Sequence, residues 1–356
     1  MRFMHIPDGY LSPSTCAAFG AVMLPIWAQA AKKVRETLRA RQVPLLAMGA
    51  AFAFTIMMYN VPVVGGSSAH AVGGGLLAVI LGPWAATIAV STALAIQALL
   101  FGDGGILAFG VNSFNMAVVI PFVSYWVYRA IAGSSEITSA RRWLGGAIGG
   151  YIGINMAALF AGTELGLQPL LFHTATGLPL YNPYSLSVSV PAMSLAHLLV
   201  AGPVEALVTG LVIYYLQRKD TSLLAIYPVA NVAITPALGT AAAKPVLRRL
   251  WWGLAVLTVF SPLGLLASGT AFGEWGQGEL KDKLGFIPQG MAKWGDLWKH
   301  RLFPDYSLPG FDQTFWQNAF IYIACAVVAL LVVMGITYLF RRVQLREEKK
   351  NQVKGA

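Results

Sequence analysis

The stretch Ala71-Val72-Gly73-Gly74-Gly75-Leu76-Leu77-Ala78-Val79-Ile80-Leu81, followed at once by Gly82-Pro83, decides the fold of this chain. It is apolar and rich in glycine, yet shorter than the roughly 20 residues a helix needs to cross a bilayer. Eight other apolar runs come closer to that length, starting near Thr15, Pro44, Pro83, Asn112, Trp143, Ser187, Trp251 and Trp316. A run that stops at Gly-Pro reads as a partial or tilted span, or as a re-entrant turn. If it is a crossing helix, the chain has seven spans up to about Leu216 and two more after it. If it is not, every later connection changes side.

Charge separates the two readings. With the N-terminus outside and nine crossings, the inner connections are residues 32–43, 129–142, 218–249 and the tail from 341. They hold five, three, five and six positive side chains, which is 19 of the 25 Lys and Arg. Cytoplasmic connections carry such an excess, and long loops count little in the rule. The outer side keeps Arg2 and the five positives of the long 273–315 loop. Without a crossing at Ala71–Leu81 the clusters would split between the two faces, so the stretch is read as a helix that crosses.

Composition agrees, with 56% hydrophobic and only 11% charged residues against about a quarter charged in soluble domains. The expectation is an all-α integral membrane protein: a seven-helix transmembrane bundle over 1–217, a cytoplasmic linker over 218–249, and two additional C-terminal transmembrane helices in 250–356 around the extracytoplasmic loop 273–315. The net charge of +10 forms no basic, aromatic-interleaved patch, which argues against nucleic acid. Cys16 and Cys325 sit far apart in apolar stretches, and read as packing residues rather than a disulfide or zinc pair.

The same parity puts His70, in Gly65-Gly66-Ser67-Ser68-Ala69-His70, on the outer face with Met4-His5-Ile6-Pro7-Asp8-Gly9-Tyr10. Residues 1–14 hold no apolar run and contain Pro7, Gly9 and Pro13, so they form a loop free to fold back into the mouth of the bundle. A chain beginning at Met4 would place an α-amine, the His5 amide and the His5 imidazole in succession, three nitrogens that close two fused chelate rings on one divalent ion. A fourth nitrogen completes a square plane, the geometry associated with Ni(II) or Cu(II), and His70 is placed to supply it. On local pattern alone, a histidine near a terminus is ordinarily solvated, and one in a Gly/Ser turn ordinarily bonds locally.

Other residues carry weaker signals. Asp103, in Phe101-Gly102-Asp103-Gly104-Gly105, reads as part of an ordinary turn or as a wall of the same outer pocket. Glu205 lies inside an apolar run, where an ionisable group is expensive and usually paired or functional. His197, about 80° from it on a helical wheel, need not touch it. Ala17 and Ala21 make a small-xxx-small pair, and His173 and His300 fall in outer loops. The chain lacks a phosphate-binding Gly-x4-Gly-Lys-Ser/Thr loop, a His-Glu-x-x-His helix and a Gly-x-Ser-x-Gly elbow. Energy for uphill movement therefore comes from a partner or an ion gradient.

Taken together, Met4 to Leu11, Gly65 to His70 with Gly73-Gly74, Gly102 to Gly105 leading to Asn112 through Met116, and Gly202-Pro203-Val204-Glu205-Ala206-Leu207 resemble the substrate-capture (S) components of energy-coupling-factor cobalt and nickel transporters, the CbiM/NikM family. The resemblance spans residues 4–217. It implies a seven-helix S-component bundle in a prokaryotic cell membrane, with the N-terminal loop inserted and the C-terminus cytoplasmic. One Ni(II) or Co(II), the transported substrate, would be held by the Met4 amine, the His5 amide, the His5 imidazole and the His70 imidazole. It implies no prosthetic cofactor and no enzyme activity. The partners it implies are a membrane coupling (T) component, met near Ala17 and Ala21, and two ABC-type ATPase subunits.

Residues 250–356, with Ala267 to Trp275, resemble the NikN/CbiN-like extension of longer members. Met1-Arg2-Phe3 precede Met4 here, whereas the family's site uses a free amine immediately before the histidine, so the working chain is expected to start at Met4. Two competing readings stand beside this one. One is a self-sufficient secondary carrier or channel, with Glu205 and Asp103 as ion-coupling groups. The other, an intramembrane metalloenzyme, lacks a nucleophile or general base beside the histidines.

Overall fold

The computed structural model describes residues 5–37, 43–63, 67–225, 243–267 and 269–354. Met4, Gly65 and Gly66 lie outside the described residues, as do residues 226–242 of the expected 218–249 linker. The long helices are α1 (Pro13–Thr37), α4 (Pro83–Phe101), α5 (Phe109–Ala132), α6 (Ala140–Leu171) and α7 (Leu186–Lys219). Between α1 and α4 come α2 (Val43–Met57) and α3 (Gly74–Leu81). After α7 come α8 (Ala243–Phe260), the short α9 (Gln277–Leu284) and α10 (Gln289–Trp294), and α11 (Phe315–Lys354). Among the described residues seven helices are long and apolar enough to cross a membrane. With α2 and α3 they match the nine apolar runs.

The deciding stretch is a helix, but α3 has only eight residues, about 12 Å at the α-helical rise. Before α3 begins the chain is already buried at Ser68 and Ala69. There it forms a two-stranded hairpin, β1 (Val61–Val63) against β2 (Ser67–Ala69), with Val61 opposite Ala69. This is a small departure from an all-helical chain, and it has a physical reason. Backbone lowered among helices finds no water, so its N–H and C=O groups must pair with each other. Gly82, at φ +86°, breaks the chain between α3 and α4, and Pro83 starts α4 at a position that needs no N–H.

Small residues let the central helices approach. On α6, a Cβ at Gly149 would stand 2.5 Å from Ser124 O of α5, and one at Gly146 would collide with Ile213 Cδ1 of α7. Such contacts drive helix association in lipid, where burial of apolar surface drives little. The extension is not a free appendage. The Tyr59 hydroxyl donates to Leu257 O at 2.5 Å, and the Tyr322 hydroxyl of α11 donates to Met58 O at 3.0 Å. Cys16 and Cys325 are both buried, in line with packing roles.

The His5 end of α1, the His70 turn before α3 and the Asp103 end of α4 meet at one end of the bundle, where His5 contacts both His70 and Asp103. The loop after α6 arrives there too, since Asn182 N–H donates to Tyr10 O at 2.9 Å. So does the loop before α11, through Tyr306.

Candidate metal centre

The N-terminal loop is bonded along its length. Ser12 Oγ accepts the Thr15 N–H at 3.1 Å, capping α1, and Ser12 N–H donates to Gln168 Oε1 at 2.9 Å. Gly9 sits at φ +89°, where an added Cβ would stand 2.7 Å from Met291 Cα of α10, so only glycine fits. The Asp8 carboxylate accepts N–H bonds from Ile106, Leu107 and Ala108 at 3.1, 2.9 and 3.2 Å, just ahead of α5. Burial pushes the Asp8 carboxyl up, while those three bonds and the Arg301 guanidinium oppose the shift. Ile6 pairs with the Asn112 side-chain amide in both directions, N–H to Oδ1 at 3.3 Å and Nδ2 to O at 3.0 Å. Ile6 O also accepts the Gly105 N–H at 3.1 Å.

These bonds deliver His5 into the bundle, only 3% exposed. Its Nδ1 lies 3.2 Å from Asp103 Oδ1, and its ring meets the His70 ring edge-on with centroids 5.3 Å apart. Asp103, 2% exposed, accepts the Tyr306 hydroxyl on its other oxygen at 2.6 Å. Burial pushes the Tyr306 hydroxyl well above the usual tyrosine range, so it stays a donor. Tyr306 also stacks on Phe101, with centroids 5.0 Å apart.

His70 directly follows β2, and its position is set from α7. Glu205, with no exposed surface, accepts N–H bonds from Val72 at 2.9 Å and Gly73 at 2.8 Å on Oε2, and from Gly75 at 3.1 Å on Oε1. The carboxylate thereby satisfies the orphan donors at the start of α3 and sits at the favourable end of its dipole. His70 Nδ1 is 3.1 Å from Ala71 O. An N–H donated there leaves the lone pair on Nε2.

The two histidines line a cavity of about 80 Å³ that also includes Asn112, Asn115, His197 and Glu274. The space suits an ion, far below the 300–1,000 Å³ of ordinary small-molecule pockets. Among the described residues no three His, Cys, Asp or Glu side chains converge as a ligand set. Two imidazoles alone make an incomplete ligand set for a metal ion, and Met4 lies outside the described residues.

His5 Nε2 is buried and has no hydrogen-bond partner. Chelation by the His5 amide and its own ring closes a six-membered ring only through Nδ1, the atom that faces Asp103 here. A half-turn about Cβ–Cγ, a two-fold torsion for histidine, puts Cδ2 where Nδ1 stands and so takes Nδ1 off Asp103 and frees it for such a chelate. In the orientation seen, an Nδ1–H donated to Asp103 would leave the unpartnered Nε2 lone pair for a metal, the carboxylate–histidine–metal arrangement. If a divalent ion such as Ni(II) is held by these histidines, Asp103→Ala is expected to weaken its binding about 10–100-fold. Calorimetric titration of the purified chain measures it, and an unchanged affinity would remove Asp103 from this role.

Three helices carry a single π-helical turn, at Gln97–Phe101, Phe114–Val119 and His197–Ala201. Such insertions cluster at functional sites, and two of them bring a polar side chain, Asn115 and His197, to the cavity. His197 Nδ1 bonds Met193 O at 2.8 Å. His173 and His300 are exposed and away from the cavity. Tyr306 and Glu274 escaped the sequence reading as site residues. Nothing in a 273–315 loop without periodicity marks which of its side chains reach another part of the chain.

Residues 5–223 match the family model CbiM, described as a cobalt uptake substrate-specific transmembrane region. The chain belongs to the CbiM family. It is similar to the fused nickel transport protein NikMN of Rhodobacter capsulatus, 44% identical over 95% of this chain and 99% of that one. It is also similar to the probable fused nickel transport protein LarMN of Lactiplantibacillus plantarum, 46% identical over 92% of this chain and 95% of that one. A crystal structure of a truncated transition metal transporter is 61% identical, with a TM-score of 0.57, over 60% of this chain and 99% of its own. The CbiM region thus ends at residue 223, and the two fused relatives extend the likeness through α8 to α11.

Proposed function

We propose that this CbiM-family protein is the metal-binding membrane subunit of an ATP-driven energy-coupling-factor importer for Ni(II) or Co(II). The observation that carries the reading is the meeting of His5 and His70, 5.3 Å apart between centroids, in a buried, ion-sized cavity. The Met4 amine and the His5 amide would complete a nitrogen square, with Met4 the first residue of the working chain. The subunit binds and presents the ion and catalyses no reaction. A membrane coupling protein and two ATPases supply the energy. The outer surface of α1, where Ala17 and Ala21 are exposed, is the proposed contact with the coupling protein.

The N-terminus and loop 273–315 face the cell exterior in this reading, and the C-terminus faces the cytoplasm. The working division is a metal-binding domain over 1–217, a linker over 218–249 and an accessory two-span domain over 250–356. Nitrogen donors bind both metals, so they do not choose nickel over cobalt. A self-sufficient carrier that uses Asp103 and Glu205 for ion coupling is the weaker alternative. Asp103 is engaged by His5 and Tyr306, and Glu205 by three main-chain N–H groups.

The test is Ni(II) uptake into proteoliposomes by wild type, His5→Ala and His70→Ala, each with and without the coupling protein and ATPases. Uptake is expected only with the partners, and at least about 100-fold lower in either variant, since each removes a ligand. Uptake without ATPases, or uptake that survives loss of His5, would replace this reading with the carrier.

A further inference from the structure

Among the described residues the cavity wall contains one carboxylate, and the nitrogen site does not use it. Glu274 is held within Phe272-Gly273-Glu274-Trp275, in the extension beyond residue 223. Gly273, at φ +81°, runs so close to α6 that an added Cβ would stand 2.9 Å from Leu165 Cδ1. On either side, Phe272 and Trp275 pack on Tyr184 with ring centroids 5.4 and 5.6 Å away, and Trp275 O accepts the Tyr10 hydroxyl at 2.8 Å. Glu274 is therefore clamped from both sides. The residue is 9% exposed and lines the same cavity as His5 and His70, and its Oε2 is buried without a hydrogen-bond partner. Among the described residues of that lining it is the one carboxylate.

A buried carboxylate oxygen without a partner is costly, and a divalent cation offsets that cost. Burial, with the charge of Asp103 adding to it, pushes the Glu274 carboxyl well above the usual range. An arriving divalent charge favours the ionised form again. Hydrated Ni(II) or Co(II) carries oxygen ligands, and exchange of one water for a carboxylate oxygen preserves that shell. Entering the nitrogen square instead requires loss of protons from the donors. No three ligating side chains converge among the described residues, so Glu274 stands beside the histidine site rather than in it.

Resting on the function proposed above, we propose that Glu274 is a transit ligand contributed by the C-terminal extension, which draws the hydrated divalent cation into the cavity and passes it to His5 and His70. The extension thus supplies a carboxylate that residues 5–223 do not place in this wall.

Stopped-flow mixing of the purified full chain with inorganic Ni(II) tests this. Glu274→Gln, the same shape without the charge, is expected to load about tenfold more slowly with unchanged release, and Glu274→Asp to load close to the wild-type rate. Loading of Glu274→Gln at the wild-type rate overturns the proposal. So does faster release at an unchanged loading rate, which would make Glu274 a permanent ligand, or an Asp variant as slow as the Gln variant. His70→Ala in the same assay reports separately: wild-type affinity there refutes the histidine site itself and leaves the Glu274 comparison readable.

Discussion

Glu205→Ala is expected to abolish measurable Ni(II) binding, weakening it more than about 100-fold, and to destabilise the purified chain by about 3–5 kcal/mol. Three main-chain donors, those of Val72, Gly73 and Gly75, all end on this one carboxylate. Each buried N–H left unpaired costs about 1–3 kcal/mol, and neither lipid nor a methyl side chain replaces the acceptor. The start of α3 would then loosen, and His70, two residues before Val72, would lose its fixed distance to His5. Glu205→Gln keeps one acceptor oxygen but turns an amide donor toward donors, so it should fall between wild type and alanine. Calorimetric Ni(II) titration and thermal denaturation of the same samples give both numbers. An ion-coupling carboxylate would behave differently: the glutamine variant would retain stability and metal binding and lose only uptake.

That role for Glu205 was beyond the reach of the sequence. A helical wheel reports which residues of α7 share a face, and the partners of Glu205 are backbone groups more than a hundred residues away. The fold itself was more legible. Apolar runs of bilayer length and the sidedness of Lys and Arg are local or additive signals, and they placed nine helices. The histidine pair was legible for the same reason, because counting crossings put His5 and His70 on one face. The shortness of α3 and the β1–β2 hairpin were not, since both depend on how residues 58–63 and 67–73 pack against other helices. Asp103 was visible as a polar residue in a turn, yet its bond to Tyr306 joins parts of the chain about two hundred residues apart, through a loop with no pattern to read. Gly9 illustrates the intermediate case: the sequence marks a turn there, and only the packing of α10 shows that a Cβ has no room.

Acidification gives the second large effect and tests the chelate itself. If the His5 amide nitrogen is a ligand, binding releases its proton at every accessible pH. The logarithm of the Ni(II) affinity then rises by at least one for each pH unit, even above the range where imidazoles and the amine have given up theirs. From pH 7.5 to pH 5.5 the affinity is expected to fall at least about 100-fold, and further wherever imidazole or amine protons join the amide proton. A site built from the His5 and His70 side chains alone would lose the slope in alkaline solution. Titrations between pH 9 and pH 10, above the ordinary imidazole and α-amine ranges, separate the two: a flat affinity there removes the amide from the ligand set. Persistence of the slope in His70→Ala, with weaker binding overall, would assign it to the N-terminal loop.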